Sequence, residues 1–204
     1  LTSKALNNIG AVYQKQNNEE KSLEYYTRAI KIAEELDDKY QIAFISNNIG
    51  DIYKTNNEYN KSFDYYSRSL KIYEELDNKQ NIAYGLKDLG DLNQYQNDYD
   101  KALDYYSRSM KIFEDMGDMY NVSAVHYKIA SVYEDKGDFD KTLDYYNRSL
   151  KIDEKLNNKD DIAYILLNIG IAYKDKGDYD KAMGYYSRSM KILEDIGDKR
   201  GLAY

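Results

Sequence analysis

A Tyr-Tyr pair recurs every 40 residues, at Tyr25-Tyr26, Tyr65-Tyr66, Tyr105-Tyr106, Tyr145-Tyr146 and Tyr185-Tyr186. The columns headed by Lys21, Arg28, Lys31, Ile32 and Glu34 repeat identically at every step. No insertion breaks the register, so five copies and four further residues account for all 204. A fixed period in the range of roughly 20–50 residues marks a chain built by stacking one supersecondary unit. Such a unit cannot bury its apolar face alone, and neighbouring copies bury it together.

Each copy splits into two helical patterns. In the second copy Ile42, Ile45, Ile49, Ile52 and Tyr53 follow three-to-four spacing, and so do Tyr59, Phe63, Tyr66, Leu70, Tyr73 and Leu76. Both runs predict amphipathic helices. The column Asn17, Asn57, Asn97, Gly137, Gly177 separates them. Gly, and next best Asn, adopts the left-handed backbone that ends a helix. Asp98, Asp138 and Asp178 then suit the N-cap of the second helix. At the other junction Asp38 and Gln41 have the spacing of a capping box. The expected fold is all-α, a right-handed α-solenoid of five helix-turn-helix repeats. It is read as one domain over 1–204, with repeats at about 1–38, 39–78, 79–118, 119–158 and 159–198. Gly201-Leu202-Ala203-Tyr204 matches Asp161-Ile162-Ala163-Tyr164, so 199–204 reads as the start of a truncated sixth repeat.

Composition excludes several kinds of function. Cysteine is absent, which removes disulfides and thiolate metal sites, and the single histidine, His126, cannot build a His-based one. Acidic residues outnumber basic ones 36 to 29, giving a net charge of −7. That balance disfavours nucleic acid, whose backbone must be neutralised by Lys and Arg. No apolar run approaches the roughly 18 residues that span a bilayer, and no signal-peptide pattern opens the chain. No cofactor, metal, nucleic acid or membrane partner is expected, and the missing cysteine fits a cytoplasmic location. Phosphate-binding loops and nucleophile elbows are absent from the sequence. Its carboxylates recur every 40 residues, whereas catalytic groups are singular, so no enzyme is expected.

The columns resemble a tetratricopeptide repeat array. The residues that carry the likeness in copy two are Ile49, Gly50, Tyr53, Tyr59, Ser62, Tyr66 and Ser69. Small residues recur in the columns Gly10/Gly50/Gly90/Ala130/Gly170, Ser22/Ser62/Ala102/Thr142/Ala182 and Ala29/Ser69/Ser109/Ser149/Ser189. The period of 40 and the missing proline after the second helix resemble the long-repeat arrays of kinesin light chain and Pins-type cell-polarity adaptors. Asn93 interrupts the Tyr13/Tyr53/Tyr133/Tyr173 column, so copy three is expected to pack less regularly there.

The resemblance implies a protein–protein interaction module that binds a peptide segment in a concave groove on the first helix of each repeat. By alignment the lining includes Asn8 in copy one, Phe44, Asn47, Asn48 and Asp51 in copy two, and Tyr84, Lys87 and Asp88 in copy three. Tyr127 and Lys128 follow in copy four, and Tyr164 and Asn168 in copy five. Asn8, Asn48 and Asn168 share a column that grips the ligand backbone in the long-repeat relatives; an amide offers both donor and acceptor. The aromatic residues would form pockets, or else simply pack between neighbouring helices. The clamp for a terminal carboxylate is disfavoured, because its Lys and Arg positions hold Tyr84 and Asp88. The alternative is a structural spacer or scaffold, associating head to tail through uncapped ends, which substitutions such as Leu193→Asp would disrupt.

Two further features read as structural. Tyr66 and its equivalents fit a core column, while Tyr65 and its equivalents fall at an edge between repeats. The Arg28 and Lys31 ladders form basic stripes, but Glu24, Asp64, Asp104 and Asp144 stand four residues before the first four arginines. That is favourable helical ion-pair spacing, so a neutralised outer face is expected.

Overall fold

The computed structural model describes residues 2–197; Leu1 and 198–204, including the expected start of a sixth repeat, lie outside the described residues. Ten α-helices follow one another: α1 (Ser3–Lys15), α2 (Glu19–Glu35), α3 (Lys39–Thr55), α4 (Tyr59–Glu75), α5 (Lys79–Tyr95), α6 (Tyr99–Asp115), α7 (Met119–Asp135), α8 (Phe139–Leu156), α9 (Lys159–Asp175) and α10 (Tyr179–Ile196). There is no strand among the described residues. The odd-numbered helices are the first helices of the five repeats, and the even-numbered are the second. The chain forms two compact units, one reaching Ser109 and one starting at Met110, so the division falls inside α6.

Every junction is short because one residue both closes one helix and opens the next. Asn17, Asn57, Asn97, Gly137 and Gly177 all take positive φ, as the spacing predicts. The residue after each donates its N–H back to the preceding helix; Asn18 N to Tyr13 O is 2.9 Å, for example. This double-bonded left-handed stop satisfies carbonyls that the helix end would otherwise leave unpaired. Asn18 then turns its side chain forward and accepts from Lys21 N at 3.2 Å, capping α2.

The junctions between repeats use the same device, which the sequence reading did not identify. Asp37, Asp77, Gly117, Asn157 and Gly197 all have positive φ. Asp38 caps α3 by accepting from Gln41 N at 3.1 Å. Its own N–H is bonded to Ala33 O at 2.9 Å, so the expected reciprocal capping box does not close.

Close packing of the two helices of a repeat depends on the glycine column. A Cβ on Gly50 would lie 2.6 Å from the Tyr66 ring, and one on Gly10 would lie 2.7 Å from Tyr26. Tyr26, Tyr66 and Tyr106 are each 0 % exposed. Ser22 and Ser62 hydroxyls donate to the carbonyls of Gly10 and Gly50 at 2.8 and 2.9 Å. In the third small column Ser109 donates to Ala83 O and Ser189 to Ala163 O, both at 2.7 Å. At these four contacts a buried hydroxyl finds a backbone partner on the facing helix, as burial requires, whereas the Ser69 hydroxyl has none among the described residues.

The invariant Lys21, Tyr25 and Arg28 columns form one object. Tyr13 and Tyr25 stack at 5.4 Å, with Lys21 above one ring and Arg28 above the other at 5.2 Å each. Copies four and five repeat the four-layer stack through Tyr133–Tyr145 and Tyr173–Tyr185. Cation–π attraction favours such layers, and it explains the residue types better than ion pairing alone. The expected pairs do form at Arg28–Glu24, Arg108–Asp104 and Arg148–Asp144. Arg68 and Arg188 instead reach Glu34 and Glu154 in the preceding repeat, which gives the invariant Glu34 column a role. At Asn93 the stack loses a ring; the amide is buried and donates to Leu89 O at 2.7 Å, and α5 continues through it.

Candidate functional site

In the first unit, α1, α3 and α5 carry eight of the twelve expected groove residues. Neighbouring first helices are tied by their side chains: Asn48 Nδ2 donates to Asn7 Oδ1 at 2.9 Å and Asn47 Nδ2 to Asp88 Oδ2 at 3.3 Å. Hydroxyls of the buried second-helix tyrosines emerge on this face. Tyr66 donates to Asp51 and Tyr106 to Asp91, both at 2.5 Å. Lys54 bridges to Asp51 at 3.4 Å, and Lys87 lies over the Tyr84 ring at 5.4 Å. Burial, and then the charge of Asp51, push the Asp88 carboxyl up to about 6, with Lys87 and Lys54 opposing. Asn8 and Phe44 are exposed, and Phe44 stacks beside Tyr40 with the ring planes 8° apart.

In the second unit, α7 and α9 carry the other four. Asn168 Nδ2 donates to the Tyr127 hydroxyl at 3.0 Å and to Tyr164 O at 2.9 Å, so both amide hydrogens are committed. Tyr127 and Lys128 are half-buried and Tyr164 is 41 % exposed. Tyr127, Lys128 and Tyr164 converge on a cavity of about 300 Å³ that Ser123, Ala124 and Asp153 also line. Asp153, near the end of α8, is 2 % exposed. Ser123 Oγ donates to its Oδ2, while Oδ1 has no hydrogen-bond partner among the described residues. Burial raises its pKa first; the Ser123 hydrogen bond opposes the rise, Asp161 adds to it, and the nearby Asn158 side chain opposes it.

A tetratricopeptide repeat model matches residues 1–75, 41–115 and 121–195. The chain belongs to the tetratricopeptide repeat family. Members of this family are in general non-enzymatic interaction modules. Comparison with curated proteins returns no match. Among solved structures the tetratricopeptide array is similar to BtubC from P. vanneervenii, with a TM-score of 0.85 at 21 % identity over 96 % of this chain and 81 % of that one. It is similar to aspartyl phosphate phosphatase F from Bacillus subtilis, with a TM-score of 0.89 at 16 % identity over 97 % and 52 %. A Rap protein complexed with Competence and Sporulation Factor gives 0.79 at 20 % identity over 97 % and 55 %. The array therefore spans about half the length of the last two, and at these identities the likeness concerns the fold.

Within the array, sequence reading passed over Asp153. Its column otherwise holds Ala33, Tyr73, Phe113 and Leu193, and the Ala124 column otherwise holds Lys4, Phe44, Tyr84 and Tyr164. In the first unit Tyr40 packs against both Phe44 and Tyr73. In α7 the matching Tyr120 lines the cavity together with Ala124 and Asp153, which stand where the first unit has the Phe44 and Tyr73 rings. The signal was available as a single charged exception in an apolar column. His126 is buried beside the Tyr145 ring, and burial lowers its pKa. Leu193 is 2 % exposed, so Leu193→Asp would disrupt the core rather than probe an open end. No cluster suited to a metal ion occurs among the described residues, and no helix there is long and apolar enough to cross a membrane.

Proposed function

We propose that the first-helix faces capture an extended peptide segment of a partner protein. The observation that carries this reading is the column of Phe44 and Tyr164, rings 40 % and 41 % exposed amid amides and carboxylates already held by neighbouring helices. An aromatic ring on a braced polar wall contributes apolar contact without much ordering on binding. The wall's remaining polar groups then meet the peptide backbone. A Rap protein, similar to this chain over 55 % of its own length, has been solved complexed with Competence and Sporulation Factor, which supports reading this fold as a partner-binding one.

Selection from a random peptide library against the whole chain tests the reading. Enriched peptides should bind Phe44→Ala or Tyr164→Ala with affinity lowered by about 1 kcal/mol each, roughly fivefold. Peptides that bind both variants as well as the parent, or the absence of any enrichment, would sink it. Molar mass by light scattering separates the scaffold alternative, which requires a mass that climbs with concentration above 23.9 kDa.

A further inference from the structure

Asp153 is the charged exception in a buried apolar column, and a carboxylate taken out of water without a partner is expensive. One of its oxygens is satisfied by Ser123 and the other is unpartnered among the described residues. Beside it lies a cavity of about 300 Å³, the lower end of the range for small-molecule sites. The tyrosines Tyr120, Tyr127 and Tyr164 line it, with Asp161 as a second carboxylate and Lys128 as the one cation of the lining. Two carboxylates against one ammonium leave a net negative lining. Aromatic faces attract cations, and an ionised carboxylate makes its strongest hydrogen bonds to charged donors. An anion would meet Asp153 and Asp161, and a neutral ligand would leave the Asp153 charge uncompensated.

We infer that this cavity is a binding site for an alkylammonium group, whose head pairs with Asp153 while its methylenes lie against the tyrosine rings. The lysine side chain of a peptide and a free alkylamine share this chemistry. The site goes beyond peptide capture, since a free amine would satisfy it equally well. The departures that open the cavity, Ala124 and Asp153, belong to copy four alone, which is what a singular site in a periodic chain requires.

The test titrates pentylamine, and pentanol as its neutral counterpart, into the whole chain and follows backbone amide shifts by NMR. Pentylamine should saturate shifts at Ala124, Tyr127, Asp153 and Tyr164, at least tenfold more tightly than pentanol. Its affinity should strengthen as pH rises and Asp153 ionises, the other charges facing it being Asp161 on α9 and Lys128 on α7. Asp153→Asn removes the charge at constant shape and should abolish the preference over pentanol. Ala124→Tyr restores the ring that copies two, three and five carry at this place and should block both ligands; circular dichroism confirms that each variant is folded. Equal binding of the two ligands, or undiminished amine binding by folded Asp153→Asn, overturns the inference. If Asp153→Asn fails to fold, Ala124→Tyr decides, and undiminished amine binding by that variant overturns it too. Competition by Nα-acetyl-lysine amide and by lysine-bearing peptides places the source in a partner protein, whereas exclusion of peptides with free amine still bound places it in a small metabolite. Library selection against Phe44→Ala is unaffected by either result, so this inference and peptide capture fail separately.

Discussion

Asp88 is held between the Asn47 amide and the charges of Asp51, Asp91, Lys87 and Lys54, and its pKa of about 6 lies above the ordinary carboxylate value. A carboxyl with a raised folded pKa favours its neutral form in the folded chain. The stability this confers is present below about pH 4 and is lost as pH climbs through about 6. A gap of about two pH units corresponds to about 3 kcal/mol. Asp88→Asn should therefore match the parent near pH 4 and exceed its stability by about that amount at pH 8, read by urea unfolding. Superimposable pH profiles would refute it. Gly50 gives a second residue-scale expectation. Alanine there gains about 1 kcal/mol of helix propensity and must push the Tyr66 ring aside; copy four already holds Ala130 in this column, with both Ala130 and Tyr146 buried. Gly50→Ala should stay within about 1 kcal/mol of neutral, while Gly50→Val should cost about 3 kcal/mol by overpacking. The position of Asp88 on a first-helix face was legible from its place in the repeat. Its charge state was not, because Asp51 lies on another helix and only folding brings the two carboxylates near.

Helices were legible almost to the residue, since a 3.6-residue pattern repeated five times is hard to mistake. The junctions were half legible. The column Asn17/Asn57/Asn97/Gly137/Gly177 uses only the two best left-handed residues, whereas Asp37/Asp77/Gly117/Asn157/Gly197 mixes three and hides the same geometry. Aspartate tolerates this conformation less readily than glycine. Asp37→Gly and Asp77→Gly should each stabilise the chain by about 0.5–1 kcal/mol in thermal or chemical unfolding. The two gains should add, because the sites lie in different junctions. Asp77→Val should lose more than either gain, since a β-branched side chain at φ 49° is strained. The aromatic stacks were missed for a different reason. Their members come from both helices of a repeat, and a column inspected alone shows a tyrosine or a lysine without showing that they form layers.

Ion pairs such as Arg28–Glu24, Arg68–Glu34 and Arg148–Asp144 are exposed, and surface pairs contribute little. Raising sodium chloride from 50 mM to 1 M should change the unfolding free energy by less than about 1 kcal/mol. Screening weakens the pairs while relieving the repulsion of a net charge of −7. A loss of several kcal/mol would show that the ladders hold the fold, and the stacks and glycine contacts would then be secondary. The division within α6 had no sequence signal, because the 40-residue register passes through it unchanged.

That unbroken register also makes position portable. Each copy is a cassette of the same length with the same joints, so a feature written into one can be transcribed into another at the matching number. Phe44→Ala with Tyr73→Asp would write the Ala124 and Asp153 departures into copy two, beneath Tyr40 as beneath Tyr120. A lineage that duplicates or exchanges whole cassettes can therefore move, multiply or erase a binding specificity in one genetic event, leaving every helix junction as it was.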